Sequence, residues 1–335
     1  MAQHTHVESD ARFTPGEAKQ SRRLTIVLAL IATFFFLELA GALVAKSNVL
    51  KADALHLLMD VFALSMSLLA MRLAVRRPTP RFTFGLRRAE PVAAIFNAML
   101  VLGATQEIIH EGVAELRGGE PPVASIMLVV SIGALIVNGI SAWLLHDVIG
   151  HRGSGHGHAH GHDGHRHDSD GPKGHHRGHT LNLRGARLHL LGDTLGSLAA
   201  LVAAIAIRLG GPSSIDAIAS FVVAGILVLG ALGLLRDATL VLLEAAPVHL
   251  PVSAVRAVVQ HFPDVTEVHD MHVWTLGAGH DAIIVHVRVT ESHPDLGARL
   301  AKKLRDTFGV EYVTVQVEKT GDACGAVPVS EINAV

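Results

Sequence analysis

Two short stretches of the chain each place a histidine and an aspartate four residues apart inside an apolar run. The first pair is His56 and Asp60, and the second pair is His189 and Asp193. On an α-helix, positions i and i+4 lie one above the other on the same face. Each pair is therefore predicted to form half of a metal site. Two facing helices would complete it with two imidazoles and two carboxylates.

An alternative is that each histidine only bonds to its own aspartate and holds helices together. Ionisable groups are costly inside a membrane and tend to mark ion pathways. Two pairs of identical spacing beside a histidine-rich segment favour the metal site. Zinc suits four nitrogen and oxygen ligands, and the single cysteine, Cys324, gives no thiolate site for Cu(I). Zinc is therefore favoured, and cadmium, cobalt and nickel remain alternatives.

The composition of the chain is that of an α-helical integral membrane protein. Its 335 residues are 50% hydrophobic and 17% charged, with a mean hydropathy of +0.40, which is more apolar than a soluble domain usually is. A net charge of −2 gives no indication of nucleic acid as a partner. Six segments can each cross a hydrocarbon core, which takes about 20 helical residues. These segments are Leu24–Ala45, Val49–Ala70, Pro91–Gly112, Val123–His146, Arg187–Leu209 and Ser214–Leu235.

Lysine and arginine are concentrated on one side of the predicted transmembrane domain, residues 24–236. The N-terminal segment 1–23, the loop after the second span and the loop after the fourth span are rich in these residues, and the three opposite loops are poorer. Because positively charged loops face the cytoplasm, both termini are predicted to be cytoplasmic. Short loops and the lack of a sorting segment suit a bacterial inner membrane.

The loop at residues 150–180 is rich in glycine, histidine and aspartate and is too polar to bury a core. Ten of the 23 histidines of the chain lie between His151 and His179. The pattern predicts a cytosolic collector of metal ions, and a disordered linker is the alternative. Four histidines that alternate with small residues are the candidate ligands: His156, His158, His160 and His162.

Residues 248–320 are predicted to form a separate cytosolic domain, which a tail at 321–335 follows. The order α-β-β-α-β predicts a small ferredoxin-like α+β domain, with two helices on an open-faced sheet. In the last two strands apolar and polar residues alternate, so His286 and Glu318 avoid the apolar face. Together with His269, at the start of the first strand, they could form a second metal site. A solvated polar face of the sheet is the alternative.

The ligands predicted in the membrane could also exchange the metal ion for protons. With neutral imidazoles and ionised carboxylates the site carries a charge of about −2, which a divalent cation cancels. Imidazole titrates near neutral pH and burial disfavours an ionised carboxylate, so protons can cancel the charge instead. Such a site predicts an antiporter. The chain contains no G-x-x-x-x-G-K-[ST] phosphate loop, so a secondary transporter is expected, not an enzyme.

Two further acidic residues are predicted to lie within the membrane. Asp53 precedes His56 by three residues and so shares its helix face. It could be an outer ligand or a waystation at the extracytoplasmic mouth, or it could pair with a neighbouring lysine. Glu38 is expected to form hydrogen bonds between helices, as are Asn97 and Asn138.

Five stretches of the chain carry a resemblance to a known family. They are Phe36–Gly41, Leu50–Asp60, Phe82–Glu90, Leu188–Ser197 and Val268–Leu276. In these stretches the chain resembles the cation diffusion facilitators, and the similarity covers nearly the whole chain beyond the first twenty residues. The two His-x-x-x-Asp elements are specific in combination, although either alone would be weak.

The resemblance implies a six-helix homodimeric transporter that exchanges cytosolic zinc for protons by alternating access. It assigns the transport site to the two histidine–aspartate pairs. It also implies cytosolic metal sites that steady the dimer, at His269, His286, Glu318 and His249. A pattern in the family has histidine where this chain has Gln316. A different class of protein, a membrane-anchored metal buffer or sensor, would use the loop and the cytosolic domain without moving ions.

Overall fold

The computed structural model describes most of the chain as two compact units. The first unit comprises the described residues up to 149 and from 181 to 238, and the second comprises Thr180 and the described residues from 239 onward. The described residues are 15–45, 48–118, 124–149, 180–212, 214–277, 279–290 and 293–319.

The first unit is built from six long helices of 26 to 31 residues. At 1.5 Å per residue each helix is about 40 Å long or longer, which exceeds a hydrocarbon core of about 30 Å. Within the described residues, α2, α3, α5 and α6 each contain a stretch that is long and apolar enough to cross a membrane. The helices are α1 (Pro15–Ala45), α2 (Asn48–Ala74), α3 (Ala89–Leu116), α4 (Ala124–Ile149), α5 (Thr180–Arg208) and α6 (Ser214–Leu242).

Each of the six predicted apolar segments falls on one helix, but the helices extend beyond the apolar residues. Helix α1 begins at Pro15, inside the segment predicted to precede the membrane. Helix α5 begins at Thr180, and α6 continues to Leu242, past the predicted boundary at residue 236. Once a helix is nucleated, each added residue gains a backbone hydrogen bond whatever its polarity. Hydropathy therefore predicted an apolar part of each helix and not its ends.

Buried polar contacts join neighbouring helices of this unit. The Asn97 side-chain amide of α3 donates to the Ser67 hydroxyl of α2 at 2.7 Å. The Asn138 amide of α4 lies 3.4 Å from the Ser197 hydroxyl of α5. These contacts confirm the predicted role of both asparagines in bonding between helices. Polar pairs of this kind help to fix helix register where the surroundings are uniformly apolar.

Helices α5 and α6 approach closely through two reciprocal contacts between a glycine and a leucine. A Cβ atom added to Gly192 on α5 would lie 2.7 Å from Leu227 Cδ2 on α6. A Cβ atom added to Gly230 on α6 would lie 2.5 Å from Leu188 Cδ1 on α5. Any side chain larger than hydrogen would have to displace these leucines. One of these contacts lies beside Asp193, the next residue after Gly192.

The second unit contains the predicted order of elements, α-β-β-α-β. Its strands form a three-stranded sheet in the order β1-β2-β3, with β1 and β2 antiparallel and β2 and β3 parallel. A parallel neighbour requires a crossover connection, which the second helix of this unit supplies. The elements are α7 (Val252–Gln260), β1 (Val265–Gly277), β2 (His280–Val289), α8 (Leu296–Phe308) and β3 (Tyr312–Lys319).

One face of this sheet packs against the two helices to form an apolar core. Alternate residues of β2, Ile283, Val285 and Val287, are buried in it. The helices contribute residues at helical spacing, such as Leu300 and Leu304 of α8. Because successive residues of a strand point to opposite faces, the intervening residues of β2, including a histidine, lie on the other face.

We expect Gly230→Val to destabilise the membrane unit, because the added methyl groups would overlap Leu188 of α5. The expected loss in the free energy of unfolding is about 1–3 kcal/mol, the usual cost of overpacking. The matched control is Gly225→Val on the same helix, where an added Cβ meets no described atom within 4 Å. Equilibrium unfolding in detergent would compare the two, and equal stability would contradict the close packing of α5 against α6.

Candidate metal centres

Three of the four ligands predicted in the membrane lie together between α2 and α5. The Nε2 atom of His189 is 2.7 Å from Oδ1 of Asp60 and 4.0 Å from Oδ2 of Asp193. One ligand atom from each residue lies within 4.8 Å of the others. Asp60 is 2% exposed and His189 is 5% exposed. His189 therefore contacts an aspartate of each helix, and not only its own Asp193.

The spacing of these atoms suits a tetrahedral metal ion. Zinc binds nitrogen and oxygen at about 2.0–2.2 Å, which places neighbouring ligand atoms about 3.4 Å apart in a tetrahedron. The observed distances from His189 Nε2, 2.7 Å and 4.0 Å, lie on either side of that value. Small side-chain movements would therefore bring the three ligands into coordination geometry.

The remaining ligand predicted in the membrane, His56, lies on α2 one turn before Asp60. Its side chain lies outside the described residues, as do those of Asp53 and Glu38. The histidines His156, His158, His160 and His162 also lie outside the described residues. Their predicted roles stay predictions.

The three ligands open into a cavity of about 180 Å³ with mostly apolar walls. Helices α1 to α6 all contribute to it, and its polar lining includes Asn138 and Ser197 in addition to the ligands. Asn138 was predicted only as a contact between helices. Its position in the wall could not be derived from the sequence, because the facing of α4 depends on tertiary packing.

A second group of ligands lies in the cytosolic domain, on β1, β2 and β3. His269 Nε2 is 3.2 Å from Glu318 Oε2, and His286 Nδ1 is 3.4 Å from Glu318 Oε1. The two imidazole rings meet edge to face with centroids 5.8 Å apart. His269 and Glu318 are 6% and 7% exposed. The solvated polar face, the alternative to a metal site, therefore does not describe these residues.

A β-bulge brings His269 into this group. Val268 pairs with Val287, but Asp270 pairs with His286, so β1 has an extra residue at His269. Such an irregularity re-aims a side chain and often lies beside a functional site. Val268 and Met271, three residues apart, both enter the apolar core, which leaves His269 free to point toward His286. Alternation alone would have placed His269 on the same face as Met271.

His249 forms a different contact. Its Nε2 atom lies 2.6 Å from Oδ2 of Asp281, and Oδ1 of the same carboxylate accepts a hydrogen bond from Thr275 at 2.7 Å. Among the described residues, His249 is not part of the group formed by the other three predicted cytosolic ligands. No sequence pattern indicates the pairing with Asp281, since the two residues are far apart along the chain.

The long apolar helices define a multi-pass membrane protein, and a separate domain carries a second group of candidate metal ligands. Residues 24–243 match the family described as the cation efflux transmembrane domain. Residues 247–320 match the family described as the cation efflux protein, cytoplasmic domain. The chain belongs to the cation efflux family, the cation diffusion facilitators that its motifs resemble.

Similar proteins span most of this chain. The zinc transporter ZitB of Escherichia coli is 32% identical over 94% of this chain and 92% of its own length. The probable proton-coupled zinc antiporter SLC30A4 of Homo sapiens is 31% identical over 90% of this chain and 71% of its own length. The metal cation efflux system protein CzcD of Cupriavidus metallidurans is 33% identical over 89% of this chain and 86% of its own length.

We expect His269→Leu to abolish metal binding by the cytosolic group. The Nε2 atom of His269 lies 3.2 Å from Oε2 of Glu318, and both side chains are buried. Removing one partner of a buried pair is destabilising, because the other charge is left without it. The thermal midpoint without metal should therefore fall, and its increase on adding a divalent cation should shrink.

The matched control is His272→Leu on the same strand, because the His272 side chain is 62% exposed. This variant should keep the full metal-induced increase in the thermal midpoint. An undiminished metal response in His269→Leu would show that His269 is not a ligand.

Proposed function

We propose that the protein is a Zn²⁺/H⁺ antiporter that exports zinc from the cytoplasm by alternating access. The observation that supports this most directly is the buried contact of His189 with Asp60 and Asp193 between two transmembrane helices. Relatives over most of the chain are named as zinc transporters, and one is named as a probable proton-coupled zinc antiporter.

The transport site consists of His56, Asp60, His189 and Asp193. The last three have ligand atoms within 4.8 Å of one another, and His56 shares the face of α2 that carries Asp60. Two nitrogen and two oxygen ligands suit zinc in a tetrahedral site. In this proposal Asp53, three residues before His56 in the sequence, is an outer ligand or binds the ion at the extracytoplasmic mouth, and Glu38 forms hydrogen bonds between helices.

Protons supply the driving force. Export of a doubly charged ion against an inside-negative potential costs about 4.6 kcal/mol per 100 mV, twice the single-charge figure. The empty site is costly to bury because His189, Asp60 and Asp193 lie in apolar surroundings. Metal or protons neutralise the carboxylates, so the loaded forms cross between the two access states and the empty charged form does not.

The architecture is six transmembrane spans in residues 24–236, with both termini and the loop at 150–180 in the cytoplasm. The six long helices support six spans, and an even number of spans places the termini on one side. The arginine-rich loops support the cytoplasmic assignment, and short loops suit a bacterial inner membrane.

The cytosolic domain, residues 248–320, is a ferredoxin-like module through which two copies form a homodimer. The family that matches residues 247–320 is named for a dimer, which supports the homodimer. The α-β-β-α-β order of the elements supports the ferredoxin-like fold. His269, His286 and Glu318 bind zinc there when metal is plentiful. His249 contacts Asp281 within the domain, and the tail at 321–335 follows the domain in the sequence.

Zinc flux into vesicles tests the transport site. Reconstituted wild-type protein should move Zn²⁺ when a pH gradient is imposed and reverse its direction when the gradient is reversed. Asp193→Asn and His189→Ala should reduce the flux to background, because each removes a ligand from the buried set. The control is Thr194→Val, an isosteric change at the residue next to Asp193, whose hydroxyl donates to the Leu190 carbonyl of its own helix. Flux at the wild-type rate in Asp193→Asn or His189→Ala would show that the altered residue does not belong to the transport site.

Transport rates in the same vesicles show which divalent ion is the preferred substrate. CzcD is named as a metal cation efflux protein, and cadmium, cobalt and nickel bind to similar ligands. Rates for Zn²⁺, Cd²⁺, Co²⁺ and Ni²⁺ should be compared at equal free concentration. We expect the highest rate for Zn²⁺. If another ion moved faster, that ion and not zinc would be the preferred substrate.

Deletion of residues 150–180, with a glycine-serine linker in their place, separates a transporter from a membrane-anchored metal buffer or sensor. A transporter should keep its maximal rate and lose at most apparent affinity, since the buried ligands lie outside the loop. A buffer would lose most of its bound metal and show no flux before or after the deletion. Measurements of bound zinc and of zinc flux on the same preparations give both results.

A further inference from the structure

The membrane unit contains a second, larger cavity beside the metal site. It measures about 480 Å³, compared with about 180 Å³ for the cavity that holds the ligands. Residues of α3, α5 and α6 line it. The two cavities share two lining residues, Ile108 of α3 and Gly196 of α5. They are therefore neighbours, and these two residues stand at their boundary.

The larger cavity lies toward one end of the helices. Along α5 the lining moves from Asp193 in the smaller cavity to Gly196 and then to Ala199 in the larger cavity. Its other walls are near the end of α3, at Glu115, and the beginning of α6, at Asp216. This is the end opposite the arginine-rich loops, so in the proposed orientation it faces the extracytoplasmic side.

Packing does not require glycine at position 196. A Cβ atom added there meets no described atom within 4 Å, whereas one added to Gly192, a turn earlier, would overlap Leu227 of α6. Glycine inside a helix costs roughly 1 kcal/mol relative to alanine. The space that a side chain at residue 196 would occupy is the open boundary between the two cavities.

The walls of the larger cavity carry charge that suits a cation. Glu111, Glu115 and Asp216 all contribute to the lining. A cleft with apolar walls and one sign of charge raises the local concentration of counter-ions. A divalent cation leaving the buried ligands would therefore enter a favourable electrostatic potential.

We propose that the transported cation passes between Ile108 and Gly196 on its way to the extracytoplasmic side, and that glycine at residue 196 keeps this passage open. This inference rests on the proposed function, because it assigns a route to the ion that the buried ligands hold. Gly196 contacts no ligand atom in this role and acts by leaving space.

Substitutions at residue 196 test the passage. Gly196→Val should lower proton-driven zinc flux in vesicles by about tenfold or more, the factor that a barrier increase of about 1.4 kcal/mol produces. Gly196→Ala should give an intermediate rate. Zinc binding to the solubilised Gly196→Val protein should stay at the wild-type level, since the ligands are unchanged. The control, Gly225→Val, adds the same side chain where a Cβ also meets no described atom, and it should transport normally.

Chemical access gives a second test that does not depend on the valine variant folding well. Cys324 is the single cysteine of the chain, so Cys324→Ser provides a background for Gly196→Cys. A small positively charged thiol reagent on the extracytoplasmic side should modify residue 196 and stop zinc flux. Gly225→Cys in the same background should continue to transport after the same treatment.

These outcomes separate the passage from the proposed function. Wild-type flux in Gly196→Val, or flux through Gly196→Cys that the reagent does not change, would overturn the passage and leave the antiporter intact. Absence of zinc flux in the wild-type protein would overturn the proposed function instead. Loss of zinc binding in Gly196→Val would also overturn the passage, since the residue would then act on the ligands.

Discussion

The contact between His189 on α5 and Asp60 on α2 is the constraint on which the rest of the membrane unit depends. Taking such groups out of water is costly, and apolar residues of similar size would often give a more stable protein. A bound cation that these side chains hold, as proposed above, would offset this cost. The neighbouring helices supply what the contact needs: Leu64 and Leu190 close the surrounding core, and the Asn97–Ser67 hydrogen bond holds α3 against α2.

The two units reach a similar ligand set by different local structures. In the membrane unit, the repeat of the helix places His189 and Asp193 on one face, and a second helix brings Asp60 to them. In the cytosolic unit, three strands each give one ligand, and a bulge turns His269 toward Glu318. Histidine and carboxylate side chains thus meet in both units. In the first unit they lie on transmembrane helices, and in the second they lie on the strands of a sheet outside the membrane.

Much of this arrangement is predictable from the sequence, and what is not predictable depends on tertiary packing. The spacing of His189 and Asp193 requires only a helix, and the order of elements in the cytosolic unit follows from alternation and turn residues. The bulge at His269 is invisible in the pattern, because it shows only when the pairing of β1 with β2 is known. The same holds for the partner of His249 and for the cavity beyond Gly196, which depend on contacts between distant segments.

The reciprocal glycine–leucine contacts between α5 and α6 limit which side chains the two helices accept. Leu227 occupies the space over Gly192, and Leu188 occupies the space over Gly230. Even a methyl group at either glycine would have to displace the end of the leucine that faces it. Because Asp193 follows Gly192 directly, a substitution as small as alanine at residue 192 would disturb the packing of α5 beside this carboxylate.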